Sequence, residues 1–237
     1  PGAEPVITTA TDVHRLPAVD DYARDLGLVI ENPDAIKGVN MAVLRGDPVC
    51  VHDPYGLISP FLSKVNTVAW DGAEASGNQV SLQGNQHLTP GISVTEQTAS
   101  LPARFLVLRP PILAAGIGCN RGTDEAEIRD FLNAVLRKHR LSIRSLMSLS
   151  SIDLKRDEPG LIKAAEILHL PLFFYSKDRL NRVETISTPS QTVQKYTGAK
   201  SVCEAAAILS SKMGPLVVPK KTWGNVTLAV ARLSSPS

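Results

Sequence analysis

Apolar positions along the chain fall into two alternating patterns, short continuous runs and helix-spaced series, and that alternation predicts an α/β protein. In the first part of the chain Val6–Thr9, Leu28–Ile30 and Val49–His52 are compact β-prone runs. Between them, Pro17 to Leu26 predicts a helix with proline in its first turn and Gly27 at its stop. Asn32 and Pro33 open a second helix, with Ile36, Val39, Asn40 and Val43 spaced to face inward and Gly46 to end it. Gly56–Lys64 predicts a short helix. From Asp71 to Pro102 the composition turns to Gly, Ser, Asn, Gln and Thr, which predicts mobile loops broken by one strand over Ile92–Glu96.

Phe105–Leu108 and Ile112–Ile117 are strand-like runs on either side of Pro110-Pro111, a stiff pair that marks the best domain boundary. Thr123 then caps a helix to about Lys138, with Ile128, Phe131, Leu132 and Val135 inward. Ile143–Ser151 is apolar without a settled period. Asp157-Glu158-Pro159 opens a helix to about Leu168, and Pro171–Tyr175 is expected as a buried strand. Ser176 caps a short helix to Val183, and Ser190–Tyr196 is helical, ended by Gly198. Ser201 and Glu204 have the spacing of a capping box at the head of Val202–Ser210. Leu216–Val218 and Val226–Ala231 are expected as paired strands that close a sheet.

Charge divides the chain more sharply than composition does. Overall it is nearly balanced at +2, but residues 1–100 hold 5 Lys/Arg against 12 Asp/Glu, a net −7, and residues 101–237 hold 20 against 11, a net +9. A basic half suits an anionic partner, and equally suits attraction between the two halves themselves. Nucleic acid is disfavoured, because aromatic residues make up only 5% and no aromatic-basic strand, helix-turn-helix cue or zinc spacing is present. Cys50, Cys119 and Cys203 with five scattered histidines form no metal-binding or disulfide pattern, and free thiols fit a reducing cytosol. No apolar run of the roughly 18 residues that a membrane helix needs occurs, and no signal peptide opens the chain. The opening on Pro1-Gly-Ala-Glu-Pro-Val-Ile-Thr-Thr, almost directly a strand, has the look of a cut within a larger protein.

Two segments carry candidate chemistry. In the first, Ile112 to Gly122 runs into glycines and leads to Thr123 and an acidic helix start, so loop amides and a helix N-terminus converge on a place attractive to an anion. Its spacing, Gly116-x-Gly118-x-x-x-Gly122, departs from the dinucleotide fingerprint, and no Gly-Lys-Ser/Thr follows. A tight structural turn is the alternative; Arg121 and the Thr123 hydroxyl are the side chains best placed to assist an anion. In the second, Lys155 stands before a helix start, with Asp157 and Glu158 beside it. The pair of acids could be a plain capping arrangement, or Lys155 could hold a carboxylate or developing oxyanion while Glu158 moves a proton. Cys119 suits a small loop residue better than a nucleophile, Ser190 an N-cap better than a catalytic hydroxyl, and His14 a surface position better than a base.

Four segments in series, Pro5-Val-Ile-Thr-Thr-Ala-Thr-Asp12, the loop Gly116–Thr123, Ser151–Gly160 and Ser201-Val-Cys-Glu-Ala-Ala-Ala207, resemble the CbiG family of cobalamin biosynthesis. The resemblance runs from residue 5 to about 231. It implies an α/β fold in two units, the C-terminal one a three-layer α/β/α domain with a mixed sheet that also resembles CobE of the aerobic pathway. Residues 1–12 would be the tail of an N-terminal domain, residues 13–110 a middle α/β region with a loop-rich part at 71–102, and residues 111–237 the C-terminal domain. The family's N-terminal Gly-His-x-Gly-Gly-Ala-Asn-type segment has no counterpart, so this chain alone would bind without turnover if that segment supplies catalytic groups.

The implied activity is cytoplasmic: cobalt-precorrin-5A hydrolase of the anaerobic corrin pathway, which opens a δ-lactone and releases the C20 carbon with its methyl as acetaldehyde. The substrate would be an anionic cobalt-tetrapyrrole, with cobalt carried in the substrate and no separate cofactor or protein-bound metal. Gly118, Cys119, Asn120, Arg121, Gly122, Thr123, Lys155 and Ser190 are then the candidate substrate-binding residues, and Glu158, Asp157 and Lys155 the candidate catalytic ones. A non-catalytic module that binds or hands on a corrinoid intermediate is the alternative, and a partner-docking fragment is a third. A homodimer, or contact with other enzymes of the pathway, is left open.

Overall fold

The computed structural model describes residues 18–70, 89–183 and 201–234. The strand expected at Val6–Thr9, His14, Ser190 and the helix expected over Ser190–Tyr196 lie outside the described residues. The chain forms two compact units, Pro1–Thr95 with Ala99–Pro110, and Glu96–Thr98 with Pro111–Ser237.

In the first unit the described elements are α1 (Val19–Asp25), β1 (Val29–Ile30), α2 (Ile36–Arg45), β2 (Val49–His52), α3 (Ser59–Leu62), β3 (Thr67–Ala69), β4 (Gly91–Val94) and β5 (Phe105–Arg109). The strands form one sheet in the order β1-β5-β4-β2-β3, antiparallel only between β1 and β5. Every position of β4 and β5 is buried, Ser93 and Arg109 included, so neither strand alternates between a covered and an open face. Val39 and Val43 of α2 meet Phe61, Ile92, Leu106 and Leu108 in the core. Asn32 does not cap α2, which is preceded by a 3₁₀ turn over Pro33–Ala35. Its side chain instead accepts from the Val107 amide at 2.8 Å and donates to the Phe105 carbonyl at 2.7 Å, extending the sheet ladder beside β5.

The second unit holds β6 (Leu113–Cys119), α4 (Glu125–Lys138), β7 (Leu146–Ile152), α5 (Pro159–Ile167), β8 (Leu172–Tyr175), α6 (Lys177–Asn181), α7 (Val202–Ser210), β9 (Leu216–Trp223) and β10 (Val226–Arg232). Its sheet runs β8-β7-β6-β10-β9, with the first three strands parallel and the β9–β10 hairpin antiparallel. Ile128, Leu132 and Leu136 of α4 and Leu161 of α5 pack with Ile117, Leu149 and Leu228 on one face. Leu180 of α6 and Val202, Ala206 and Ile208 of α7 pack with Ile152, Ala229 and Ala231 on the other. The sheet is therefore the middle of three layers, α/β/α with a mixed sheet.

Helix α7 is buried at seven successive positions, Val202 to Ile208. Its small residues let it lie directly on β6, where a Cβ at Gly116 would sit 1.9 Å from the Cys203 carbonyl oxygen. Other local details differ from the sequence pattern. Asp124, not Thr123, caps α4 by accepting from the Ala126 amide at 2.8 Å, while the Thr123 hydroxyl donates to the Asn120 carbonyl at 2.8 Å. No capping box forms at α7: Ser201 makes no cap bond, and the fully buried Glu204 carboxylate accepts from the Lys220 amide of β9 at 3.0 Å. The strand at Leu172–Tyr175 is an edge rather than a buried one, with Phe173 exposed. Ile143–Ser151 had no period because it is a 3₁₀ turn followed by β7, a strand covered on both faces. Glu96–Thr98 joins this unit through an antiparallel bridge between Gln97 and Leu141, and through the buried Glu96 carboxylate, which accepts from Arg232 Nη1 at 3.2 Å.

Because the obstacle at Gly116 is backbone rather than a flexible side-chain end, α7 must shift to admit a methyl group. Gly116→Ala is expected to lower stability by about 1–3 kcal/mol, measured as a fall in the urea midpoint at unchanged slope.

Candidate functional site

Parallel neighbours β6 and β7 end side by side, and open α/β sheets use the carboxyl ends of such strands for ligands. The β6 strand gives way to Asn120–Asp124 and then α4, while β7 gives way to a 3₁₀ turn over Asp153–Lys155 and then α5. One side chain ties the two loops together. Glu158, 1% exposed, accepts from the Gly122 amide through Oε1 at 2.7 Å and from Lys155 Nζ through Oε2 at 3.3 Å. Its backbone starts α5 with Pro159 in the first turn, but its carboxylate makes no capping bond. The Lys155 side chain is itself only 14% exposed.

Glycines make this junction sterically feasible. Gly122 has φ of 74°, a left-handed conformation that presents its amide to Glu158 and that a side chain would strain. At the head of α5, a Cβ on Gly160 would lie 2.0 Å from the Thr123 carbonyl oxygen, so helix and loop meet backbone to backbone. Farther out, Arg121 donates to Asp157 at 2.8 Å and to the Leu154 carbonyl at 3.1 Å, with both charged side chains mostly exposed. The hydrogen bond from Arg121 holds the Asp157 carboxyl below its ordinary range, and the same bond raises the Arg121 guanidinium.

Gly118 and Cys119 close β6 opposite Thr227 and Val226 of β10. The Thr227 hydroxyl donates to the Gly118 carbonyl at 3.3 Å. Asn120 is held twice by Asn225, backbone amide to carbonyl at 3.0 Å and side chain to side chain at 2.8 Å. Glu127 of α4 grips the same turn by accepting from the Asn225 amide at 2.7 Å. Burial raises the Cys119 thiol to about 11, outweighing the opposite pull of Lys155.

The fold thus brings Gly118, Cys119, Asn120, Arg121, Gly122, Thr123, Lys155, Asp157 and Glu158 to one place. Ser190 lies outside the described residues. The anion that meets the Gly122 amide is the protein's own Glu158, and Arg121 is already paired with Asp157. Sequence reasoning missed Glu127, Asn225 and Thr227. Their contacts cross about a hundred residues of chain, and the local signal that could have pointed to them is the Gly224-Asn225 dipeptide, which suits a hairpin turn between the paired strands.

A three-layer α/β/α module with strand-end loops stapled by a buried carboxylate is the class that the second unit defines. Comparison with known proteins gives the family. A model described as the cobalamin biosynthesis central region matches residues 17–110, and one described as the cobalamin synthesis G C-terminus matches residues 113–231. The chain belongs to the CbiG family of cobalamin biosynthesis. It is 34% identical over 238 residues to a cobalt-precorrin-5A hydrolase of Priestia megaterium, covering 97% of this chain and 62% of that protein. It is 29% identical over 245 residues to a cobalt-precorrin-5A hydrolase of Salmonella typhimurium, covering 97% of this chain and 65% of that protein. The chain therefore spans less than two thirds of the length of these relatives. The crystal structure of CobE, a protein from the cobalamin biosynthetic pathway, aligns over 52% of this chain and 93% of its own, at 38% identity and a TM-score of 0.49.

A thiol raised to about 11 is about 0.1% thiolate at pH 8, roughly a hundredfold less than an ordinary cysteine. In the native chain at pH 8, iodoacetamide is expected to alkylate the Cys119 peptide at least 50-fold more slowly than in urea, a ratio read by mass spectrometry. An activated nucleophile would react faster in the native chain instead.

Proposed function

We propose that this chain is part of a cobalt-precorrin-5A hydrolase, which opens the δ-lactone of an anionic cobalt-tetrapyrrole and releases the C20 carbon with its methyl as acetaldehyde. The observation that carries the reading is the convergence of Gly118–Thr123, Lys155 and Glu158 at the ends of β6 and β7, in a chain whose relatives carry that name. Cobalt arrives inside the substrate, so the chemistry asks the protein for charge and proton handling rather than for a resident metal or cofactor. Three free cysteines accord with a cytoplasmic enzyme.

In this reading the substrate's carboxylate arms approach the loop from Arg121, and its lactone carbonyl approaches Lys155, whose ammonium stabilises the oxyanion formed as water adds. Glu158 is the better general base of the two acids. Asp157 is made a weaker base by its hydrogen bond from Arg121, and Glu158 stands next to Lys155, where the lactone carbonyl is placed. A carboxylate has about four acceptor positions, and Gly122 and Lys155 engage two of those on Glu158. As water attacks the carbonyl carbon its proton passes to Glu158 and the acyl–oxygen bond breaks; the freed alkoxide then becomes the acetaldehyde carbonyl as its carbon–carbon bond to the macrocycle breaks, and the macrocycle takes up that electron pair and a proton.

A corrinoid-binding or carrier module without turnover is the second reading. It is favoured by the internal partners that Gly122, Lys155 and Arg121 already possess, which leave binding groups occupied until a ligand displaces them.

Incubation with cobalt-precorrin-5A of a protein that carries this chain at the full length of its relatives, beside the chain itself, separates the two. Hydrolase activity predicts acetaldehyde release that Glu158→Gln reduces by about 10²–10⁴-fold, the usual contribution of a general base. Release that survives Glu158→Gln unchanged removes that residue from the mechanism. Tight binding with no change in ligand mass supports the carrier reading.

A further inference from the structure

The two edges of the second sheet are built differently. An open strand edge offers its unpaired amides and carbonyls to any other chain, and proteins blunt it with proline, lysine or a bulge. Edge strand β9 has such devices: Pro219, Lys220 and Lys221 stand in it, and its pairing with β10 shifts register twice. Edge strand β8, at the other end of the sheet, has none of them. It reads Leu172-Phe-Phe-Tyr175, pairs with β7 in unbroken register, and among the described residues has no strand on its outer side. Phe173 is 46% exposed there. A bare aromatic edge of this kind is a template for another strand.

Helix α5, which links β7 to β8, adds charge beside this edge. Its Gly160 lies against the Thr123 carbonyl and its Lys163 reaches Glu125 of α4 at 3.9 Å, so one flank of the helix is turned to α4. Ile162 and Glu166, four residues apart, share the opposite flank, on the side of β8. The Glu166 side chain is exposed and, among the described residues, in no ion pair. Arg156 stands near the carboxyl end of β8, its guanidinium 5.8 Å from the centroid of Phe174, a ring that packs on the α5 face. Among the described residues it too has no acidic partner. A guanidinium resting on a ring is fixed in place while its N–H edge stays open to a carboxylate. An unmatched cation and an unmatched anion thus flank the two ends of one bare strand.

We propose that β8 is a dimer edge, pairing antiparallel with β8 of a second copy of this chain across a two-fold axis normal to the sheet. Two five-stranded sheets then become one of ten. Residues directly opposite in an antiparallel pair share a face, so an axis through Phe173 sets the two exposed rings side by side. The same axis turns the amino end of each β8 to the carboxyl end of the other, which brings Arg156 of each copy towards Glu166 of the other. Any other partner would have to present an edge, an apolar ring, an acid and a base in this same order, whereas a second copy has them by symmetry. With only four residues in the strand, the dimer is expected to dissociate on dilution. The contact asks nothing of Glu158 or Lys155 and stands apart from the hydrolase reading.

Sedimentation equilibrium of the whole chain over a range of concentrations is expected to show a monomer–dimer equilibrium. Phe173→Lys sets like charges opposite each other and is expected to raise the dissociation constant at least tenfold. Arg156→Glu alone and Glu166→Arg alone are expected to weaken the dimer in the same direction. Mixed in equal amounts, these two variants regain it, because in the mixed dimer every acid again faces a base; misfolding of either variant could not produce that recovery. Thr222→Lys, an exposed change on the opposite edge strand, is the control and leaves the constant within twofold. A chain that is monomeric throughout would overturn the proposal, as would a dimer indifferent to Phe173→Lys, equal weakening by Thr222→Lys, or charge variants that stay apart when mixed.

Discussion

A buried carboxylate is costly unless it is matched by charge or by hydrogen bonds, and Glu158 is matched by one of each. Removing its partners would leave an ion stranded in a dry site, so the β6 loop and the β7 loop are obliged to keep their mutual positions. That obligation organises the whole carboxyl end of the second sheet. Gly122 must adopt its left-handed conformation to deliver the amide, and Gly160 must lack a side chain for α5 to come up against Thr123. Lys155 is drawn inward from what would otherwise be a solvated position. A single ion thus makes specific demands on residues from Gly122 to Gly160.

The same device recurs in this unit with other partners. Glu204 of α7 takes the Lys220 amide of β9, and Glu96 takes Arg232 of β10. Each carboxylate lies almost wholly out of water. Electrostatic attraction for anions follows from where the charges are placed as well as from how many there are.

Strands and helices of the second unit were legible because its apolar runs and helical spacing agree with proline, glycine and polar punctuation at their ends. Helix α4 is the clearest instance: Ile128, Phe131, Leu132 and Val135 all face the core. Proximity of the Gly118–Thr123 loop and Lys155 was legible for a topological reason, since adjacent parallel strands bring their following loops together. Partner choice was not. Ser201 with Glu204, and Asp157 with Glu158, have local spacings that suit caps, yet Glu204 and Glu158 turn to long-range amides and Asp157 to Arg121. A cap is worth roughly 1 kcal/mol, less than leaving a buried amide or carboxylate unpaired would cost, so tertiary demand overrides local preference. Nothing in local spacing announces that demand. Asn32 is the same lesson in the first unit, where a sheet edge outbids a helix head.

Asn225 connects the loop that follows β6 with helix α4. On one side it holds Asn120, at the start of the glycine loop, and on the other it is held by Glu127 of α4. Trp223 stands two residues before it, across Gly224 with its φ of 53°. A Cβ on Gly224 would lie 2.3 Å from Glu127 Oε1, so the turn fits closely against α4. The hairpin tip is therefore clamped between the loop that follows β6 and the helix that follows that loop. Trp223 inherits this fixed position although its own side chain is largely in solvent. The clasp around Asn225 thus holds the hairpin tip and the glycine loop in one frame.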